Sequence, residues 1–227
     1  MLMLDRLDGK SFIDIGCGSG LFSLAARNLG ANVLSFDRDP ASVACTEELK
    51  RRVRPGDADW QIREDDVLTP ATLGERRFDI VYSWGVLHHT GAMWPALERV
   101  CRMVAPGGKL FIALYNDQGW ISRYWLVVKR LYNRDGIGRW IMVALHIPYL
   151  LGLRLLVRAL VRRGGLPRGM SLWRDLHDWL GGYPFEVASP AAVAIFGRDR
   201  GLLIEQVTTA GRRHGCNEFV FSASDGG

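Results

Sequence analysis

Residues 11–20, Ser11-Phe12-Ile13-Asp14-Ile15-Gly16-Cys17-Gly18-Ser19-Gly20, followed at once by Leu21-Phe22-Ser23-Leu24-Ala25-Ala26, decide the fold. An apolar run of strand length ends in a glycine cluster, and helical spacing then takes over from Leu21 to Leu29. Glycines at a strand–helix turn let the backbone approach a ligand closely, at the carboxyl edge of the sheet where ligands of open α/β folds bind. The dinucleotide fingerprint GxGxxG is not met, because Leu21 stands three residues after Gly18. The spacing is GxGxG, with Asp14 two residues ahead of its first glycine. A carboxylate there suits a ligand bearing an ammonium group better than a pyrophosphate, which needs bare N–H donors.

Outward from this loop, strand-like and helix-like segments alternate. Asn32 to Phe36 reads as a second strand, and Asp39-Pro40 opens a helix to about Arg52, with an N-cap acid and proline at the first helical position. Trp60 to Glu64 is a third strand and Phe78 to Ser83 a fourth. Met93 to Val104 is a helix stopped by Pro106-Gly107-Gly108, and Lys109 to Tyr115 is a fifth strand. Ser189-Pro190 opens a further helix, and Leu202 to Thr209 and Asn217 to Ala223 form two more strands. The loop between those two is short enough to permit only antiparallel neighbours. Repeated βα units of this kind predict a doubly wound α/β sheet with helices on both faces.

The composition agrees. With 227 residues, 48% hydrophobic and 23% charged, the chain has the balance of a folded domain rather than a disordered one. Its four cysteines, Cys17, Cys45, Cys101 and Cys216, are scattered, which excludes a zinc ribbon or a disulfide framework. That usage fits a reducing, cytoplasmic setting. No secretory leader pattern and no run of 18 apolar residues is visible. The charge is unevenly placed. Residues 120–168 hold ten basic side chains against Asp135 alone, a local charge of +9 that leaves the rest of the chain at −4. Such asymmetry points to an anionic surface as partner, membrane or nucleic acid.

Acids recur at the strand ends. Asp37 closes the second strand, 21 residues after Gly16, where a carboxylate can accept both hydroxyls of an adenosine ribose. Asp65-Asp66-Val67 follows the third strand, placing an acceptor and a backbone N–H where an adenine edge would lie. One such acid is easily a solvated strand-end residue, whereas three in register at consecutive strand ends point to one bound nucleoside.

Taken in order, FIDIGCGSG, LSFDRDP, EDDVL, FDIVYSWGVLHHT and APGGKLFIALYN resemble the class I S-adenosylmethionine-dependent methyltransferases over about residues 11 to 116. The resemblance implies a Rossmann-like, seven-stranded sheet of order 3-2-1-4-5-7-6 with the last strand antiparallel, and S-adenosylmethionine as cofactor. Carried over, Asp14, Gly16, Cys17 and Gly18 surround the methionine half, and Asp37 with Arg38 takes the ribose. Asp66 and Val67 take the adenine, and Ser83 and Trp84 face the methionine end or the departing methyl group. Gly20 is expected to be a packing glycine. Methyl transfer from a sulfonium is an in-line displacement in which the protein chiefly aligns the nucleophile. A phenol or amine acceptor also calls for a base, for which His89 and His177 are the candidates. Both have a plainer alternative, His89 (with His88) as a residue that orients its loop and His177 as a helix-surface residue. His146 and His214 are expected to be structural or on the surface, and no set of residues has metal-ligand spacing.

The whole chain, 1–227, reads as one methyltransferase domain with a basic, apolar helical insert at 117–188 on the acceptor side. Within it Trp120 to Arg134 interleaves aromatic and basic residues, Trp140 to Leu153 is nearly all apolar, and Arg154, Arg158 and Arg162 recur every fourth residue. An arginine stripe on an apolar helix can lie in a membrane interface, and it can equally cap the core. The ubiquinone-pathway O-methyltransferases are similar in carrying a membrane-touching insert after strand five. Members of the wider family usually carry N-terminal helices over the cofactor, whereas about ten residues precede the first strand here. Either the insert is the lid, or the site is open, or the chain is truncated. The expected activity is O-methylation of a small hydrophobic, lipid-like or membrane-associated acceptor. The rival readings are an RNA-binding methyltransferase, which the absence of a recognisable RNA module disfavours, and a non-catalytic cofactor-binding partner subunit.

Overall fold

The structure is a computed structural model that describes residues 6–71, 73–134, 136–148, 152, 177, 179–211 and 215–224. Arg154, Arg158, Arg162 and His214 lie outside the described residues. The chain divides into two compact units, one formed by Met1–Asp117 with Val187–Gly227 and the other by Gln118–Glu186.

The first unit is a seven-stranded sheet of order β3-β2-β1-β4-β5-β7-β6. Its strands are β1 (Ser11–Ile15), β2 (Asn32–Asp37), β3 (Trp60–Glu64), β4 (Phe78–Trp84), β5 (Val104–Tyr115), β6 (Leu202–Thr208) and β7 (Cys216–Ala223). All pairings from β3 to β5 are parallel, and β7 runs antiparallel to both of its neighbours. The expected sheet order and the antiparallel last strand are both present. Among the described residues four helices belong to this unit: α1 (Leu21–Asn28), α2 (Pro40–Val53), α3 (Met93–Arg102) and, after the second unit, the helix Pro190–Arg198. Asp39 caps α2, accepting from the N–H groups of Ala41 and Ser42, and Ser189 caps the last helix through Ala192.

Alternation along the central strands explains the two layers. Ile13, Ile15, Leu34, Phe36, Val81, Leu110 and Ile112 face one side, where Leu97 and Val100 of α3 and Val193 of the last helix cover them. Phe12, Val33, Trp60, Ile80, Tyr82 and Phe111 face the other, covered by Ala26 of α1 and Leu49 of α2. The fifth strand begins earlier than the sequence suggested. Pro106-Gly107-Gly108 does not precede it but forms an irregularity inside it, so that Phe78 pairs with Val104 and Ile80 with Lys109. Gly108 is required there: a Cβ would come within 2.8 Å of the Ala105 carbonyl and 3.0 Å of that of Asp79. The edge strand β6 is exposed for most of its length, and its Glu205 pairs with Lys109 at 2.7 Å. Charge at an edge discourages pairing with another chain.

Beneath α1, the second of these apolar layers contains a buried polar chain. Trp60 Nε1 donates to Ser35 Oγ (2.8 Å), Ser35 to Ser23 Oγ (2.7 Å), and Ser23 to Asp14 Oδ2 (2.5 Å). The indole and both serines are fully buried, and Asp14 is 2% exposed. Each hydroxyl has one proton, so an indole that can only donate and a carboxylate that accepts at the other end give the chain a single direction. It ties together β3, β2, α1 and β1.

The second unit contains α4 (Trp120–Tyr132) and α5 (Ile137–Ile147), which pack on each other; the last helix of the first unit is accordingly α6. Trp125, Val128 and Tyr132 of α4 and Val143 of α5 are buried. His146 is buried with them, its Nδ1 on the Met142 carbonyl (2.7 Å) and its Nε2 against the Tyr124 hydroxyl (2.8 Å), which fits the structural role expected of it. Lys129 is wholly buried: its ammonium donates to the Trp179 carbonyl and lies 4.4 Å from the Trp179 ring and 5.1 Å from that of Phe185. Burial pushes its pKa down to about 8, and the two ring faces recover part of the lost hydration.

The polar chain under α1 makes a stability prediction. Ser35→Ala leaves the buried Trp60 N–H without its acceptor, which costs about 1–3 kcal/mol. The double change Ser35→Ala with Trp60→Phe should cost less than the sum of the two singles, because the orphaned donor is gone. Urea unfolding of the four proteins measures both statements.

Candidate active site

Parallel register brings the carboxyl ends of β1, β2, β3 and β4 side by side: Ile15 pairs with Phe36, Asp37 with Glu64, and Asp14 with Tyr82. The glycine loop closes over this edge. Gly16 N and Cys17 N both donate to the Phe36 carbonyl (2.9 and 3.1 Å), and Gly18 N donates to Asp37 Oδ2 (3.0 Å). The loop is thereby sewn to β2. Gly16 has φ of 78°, and a Cβ there would collide with the Val86 side chain. Gly20 at φ 75° would strike Thr46 at 2.7 Å, so it packs as expected. Gly18 differs, because nothing lies within 4 Å of a Cβ built on it. Its backbone therefore presents an open surface to a ligand.

Thr46 of α2 had no signal in the sequence. It is fully buried, donates to the Gly18 carbonyl (3.0 Å) and lies 3.4 Å from Cys17 Sγ. Burial pushes the Cys17 thiol up to about 12, so its side chain is an inert packing group. Ser23, Ser35 and Trp60 were also missed as site residues. A serine on an amphipathic helix reads as solvent-facing, and only the structure shows that Ser23 reaches the carboxylate below the loop.

The acids divide by environment. Asp14, buried beneath the loop, has its carboxyl pushed up to about 6, first by burial, with the Ser23 hydrogen bond opposing and nearby Asp37 adding to the rise. Asp37 holds one backbone N–H on each oxygen, Gly18 on Oδ2 and Asp39 on Oδ1 (3.0 Å each). Each carboxylate oxygen has two lone pairs, so one per oxygen remains for a pair of ligand hydroxyls. Asp65 turns inward and accepts from Asp66 N and Ala71 N (2.8 and 3.0 Å), fixing the loop after β3. Asp66 stays partly open, 3.5 Å from exposed Arg38, with buried Val67 beside it.

At the end of β4 the expected pair separates. Ser83 is fully buried and donates to the Ile15 carbonyl (3.2 Å), clamping β4 to β1. Trp84 is half-buried and stacks on Tyr82 (5.5 Å, 1° between planes), and Phe22 of α1 also lies 5.0 Å from Tyr82. Beyond β4, a short 3-10 turn, Leu87–His89, places the histidines differently. His88 is buried, and its Nδ1 accepts from Tyr115 N (3.3 Å). His89 is half-buried, its ring edge-on to that of Tyr115 at 5.4 Å. His177 belongs to the second unit, where its Nδ1 lies 2.5 Å from the Tyr132 hydroxyl. Among the described residues no group of His, Cys, Asp and Glu is arranged to hold a metal.

Residues 13–112 match the family model described as "Methyltransferase domain". The ubiquinone biosynthesis O-methyltransferase of Brucella ovis is 34% identical over 110 residues, 48% of this chain and 43% of that protein. The protein of the same name from Methylobacterium sp. is 31% identical over 112 residues, 49% of this chain and again 43% of its own length. The matched region is thus less than half of those relatives. Among solved structures, magnesium protoporphyrin IX methyltransferase from Synechocystis PCC 6803 with bound SAH superposes with a TM-score of 0.59 at 15% identity, over 96% of this chain and 76% of that one. An O-methyltransferase family protein from Burkholderia thailandensis gives 0.61 at 14% identity, over 96% and 52%. Residues 13–112 are thus similar to a methyltransferase domain, and they lie on a seven-stranded sheet with the fold of those solved structures.

Proposed function

We propose that the chain is an S-adenosylmethionine-dependent methyltransferase that methylates an oxygen of a small hydrophobic, membrane-associated acceptor. The observation that carries this reading is the set Asp14, Asp37 and Asp66, three acids with three different environments ranged along consecutive strand ends around one glycine loop. When bound, S-adenosylmethionine supplies a methyl group already activated by its sulfonium charge. The residues fit it: Asp37 keeps a lone pair on each oxygen for the ribose hydroxyls. Gly18 leaves its surface open toward the methionine half. Asp66 and the Val67 N–H face the adenine, and Asp14 supplies negative charge below the loop. Trp84 borders the methyl end, and His89 takes the proton of the acceptor hydroxyl as its oxygen becomes the nucleophile.

The O-methylation and the membrane setting draw on the ubiquinone O-methyltransferase relatives and on the surface of the second unit. Trp120, Tyr124 and Val127 on α4 and Ile137, Trp140, Ile141 and Leu145 on α5 are large apolar side chains left exposed. Their spacing makes one apolar stripe per helix. No helix among the described residues is long and apolar enough to cross a membrane. A surface contact is the form such stripes support.

Three outcomes test this reading. Asp37→Ala should weaken S-adenosylhomocysteine binding, measured by calorimetry, by about 1.5–3 kcal/mol, the scale for hydrogen bonds to a charged group. Unchanged affinity would remove Asp37 from the site. The second outcome concerns pH. Asp14 in the free protein is ionised only above about 6, and a ligand ammonium favours its ionised form. Binding is therefore strongest above that value and weakens as pH falls through it, by up to about tenfold per unit if one proton is linked. Asp14→Asn should flatten that part of the profile, and a wild-type profile already flat between pH 7 and 5 would refute the assignment. Third, the full chain should float with vesicles containing anionic lipid. Changing Ile137, Ile141 and Leu145 together to Ser should lower the bound fraction at least about tenfold, since each apolar side chain inserted is worth about 1.5–3 kcal/mol. S-adenosylhomocysteine affinity should stay as it was. Equal flotation of the variant would sink the membrane part of the proposal alone.

A further inference from the structure

The second unit has a pocket of about 760 Å³ between the end of α4 and the start of α5, lined by Tyr132, Arg134, Gly136, Arg139, Trp140 and His177 among others. Its polar wall is ordered by one hydroxyl. Arg139 Nη2 donates to Tyr132 Oη (3.3 Å), and the Arg139 guanidinium lies 5.1 Å from the Tyr132 ring centre. The same hydroxyl lies 2.5 Å from His177 Nδ1, so it joins the arginine to the imidazole. The contact with Tyr132 holds the Arg139 side chain in place while using one of its five N–H donors. Arg134 lines the same pocket, and no carboxylate among the described residues forms an ion pair with either arginine. Beside these cations stand two large apolar side chains, Ile137 and Trp140, exposed at 77% and 63%.

We propose that this pocket binds the phosphoryl group of an amphiphile. Two guanidiniums can share the oxygens of a tetrahedral oxyanion, bidentate recognition being the geometry for which arginine is suited. Ile137 and the Trp140 indole pack against the apolar body that carries the group. The same chemistry is offered by a phospholipid headgroup and by a soluble phosphate ester. Neither the methyl-transfer reading nor the vesicle contact is needed for it, because the ligand enters as a single molecule.

The test titrates the full chain with dihexanoyl phosphatidic acid below its micelle concentration, with phenyl phosphate and with inorganic phosphate, followed by tryptophan fluorescence. S-adenosylhomocysteine binding is measured on the same samples, so that failure of the cofactor site is seen separately. Saturable binding of either ester, with Arg139→Gln and Arg134→Gln each raising its dissociation constant at least about tenfold, a loss of about 1.4 kcal/mol, is the expected result. The tighter ester tells whether the source is a lipid or a soluble metabolite. Arg52→Gln, an exposed change on α2 of the first unit, should leave the titration unchanged. Arg134, at the surface with no hydrogen bond through its side chain among those described, keeps the test valid should Arg139→Gln unsettle Tyr132. The proposal is overturned by no saturable binding of either ester, by binding that both arginine changes leave intact, or by inorganic phosphate binding as tightly as the esters.

Discussion

An acid placed where water cannot reach it organises the first unit. Asp14 lies one residue from the end of β1, an interior strand of the sheet, with its carboxylate beneath the glycine loop and 2% exposed. Burying a carboxylate without compensation costs more than a domain can readily bear, so the surroundings must supply either a proton or hydrogen bonds. This protein does some of each: the carboxyl is pushed up to about 6, and a directed line of donors from Trp60 through Ser35 and Ser23 ends on it. Because those donors come from β3, β2 and α1, satisfying one acid fixes where three neighbouring elements sit relative to β1. The loop above inherits that rigidity.

The hydrogen bonds of the loop hold the backbone donors of Gly16, Cys17 and Gly18 on β2. In phosphate-binding loops the N–H groups point at the ligand. Here those of Gly16 and Cys17 are spent on the Phe36 carbonyl and that of Gly18 on Asp37. Net negative charge at the strand ends, with donors turned inward, favours a cationic ligand with hydroxyls. A methionine sulfonium joined to a ribose has that character, and a pyrophosphate does not. The physical preference and the family match over residues 13–112 therefore agree for independent reasons.

Much of this was legible in the sequence because it depends on local chemistry. Strand β3 is found over the residues that its pattern suggested, and Asp39-Pro40 and Ser189-Pro190 open helices because cap and proline act within one turn. The glycines could be sorted in advance only in part: Gly20 packs on Thr46, a neighbour 26 positions away that no local pattern names. The same limit hid Ser23, Ser35 and Trp60, whose roles exist only once β1, β2 and β3 are aligned in register. Ser83 looked like a ligand-facing residue and is a buried clamp on Ile15. The ending Gly215-Cys216-Asn217 could be read as the start of the last strand but as no acceptor motif. Its Asn217 is buried, accepts from Ala210 N (3.0 Å) and donates to Asn116 Oδ1 (2.9 Å), pinning the last hairpin to the end of β5. Asn217 carries hairpin geometry rather than acceptor chemistry.

The two units differ in what their buried polar groups accomplish. In the first, buried polarity converges on the strand ends beneath the glycine loop. In the second, Lys129 is buried on two aromatic rings and a carbonyl, with its pKa lowered to about 8. That arrangement joins the Trp179–Phe185 segment to α4 rather than presenting the amine to a ligand. Helices α4 and α5, by contrast, expose apolar and basic side chains together. Large apolar side chains left in water on both α4 and α5 are disfavoured in a unit that works alone, and scattered single residues would not need explaining. Two stripes at helical spacing do need it. A chemistry that only aligns a nucleophile with an activated methyl group places few demands on the acceptor's reactive atom. On the proposed methyl transfer, selectivity comes from surfaces that recognise the rest of the acceptor, a role proposed for the exposed stripes of α4 and α5.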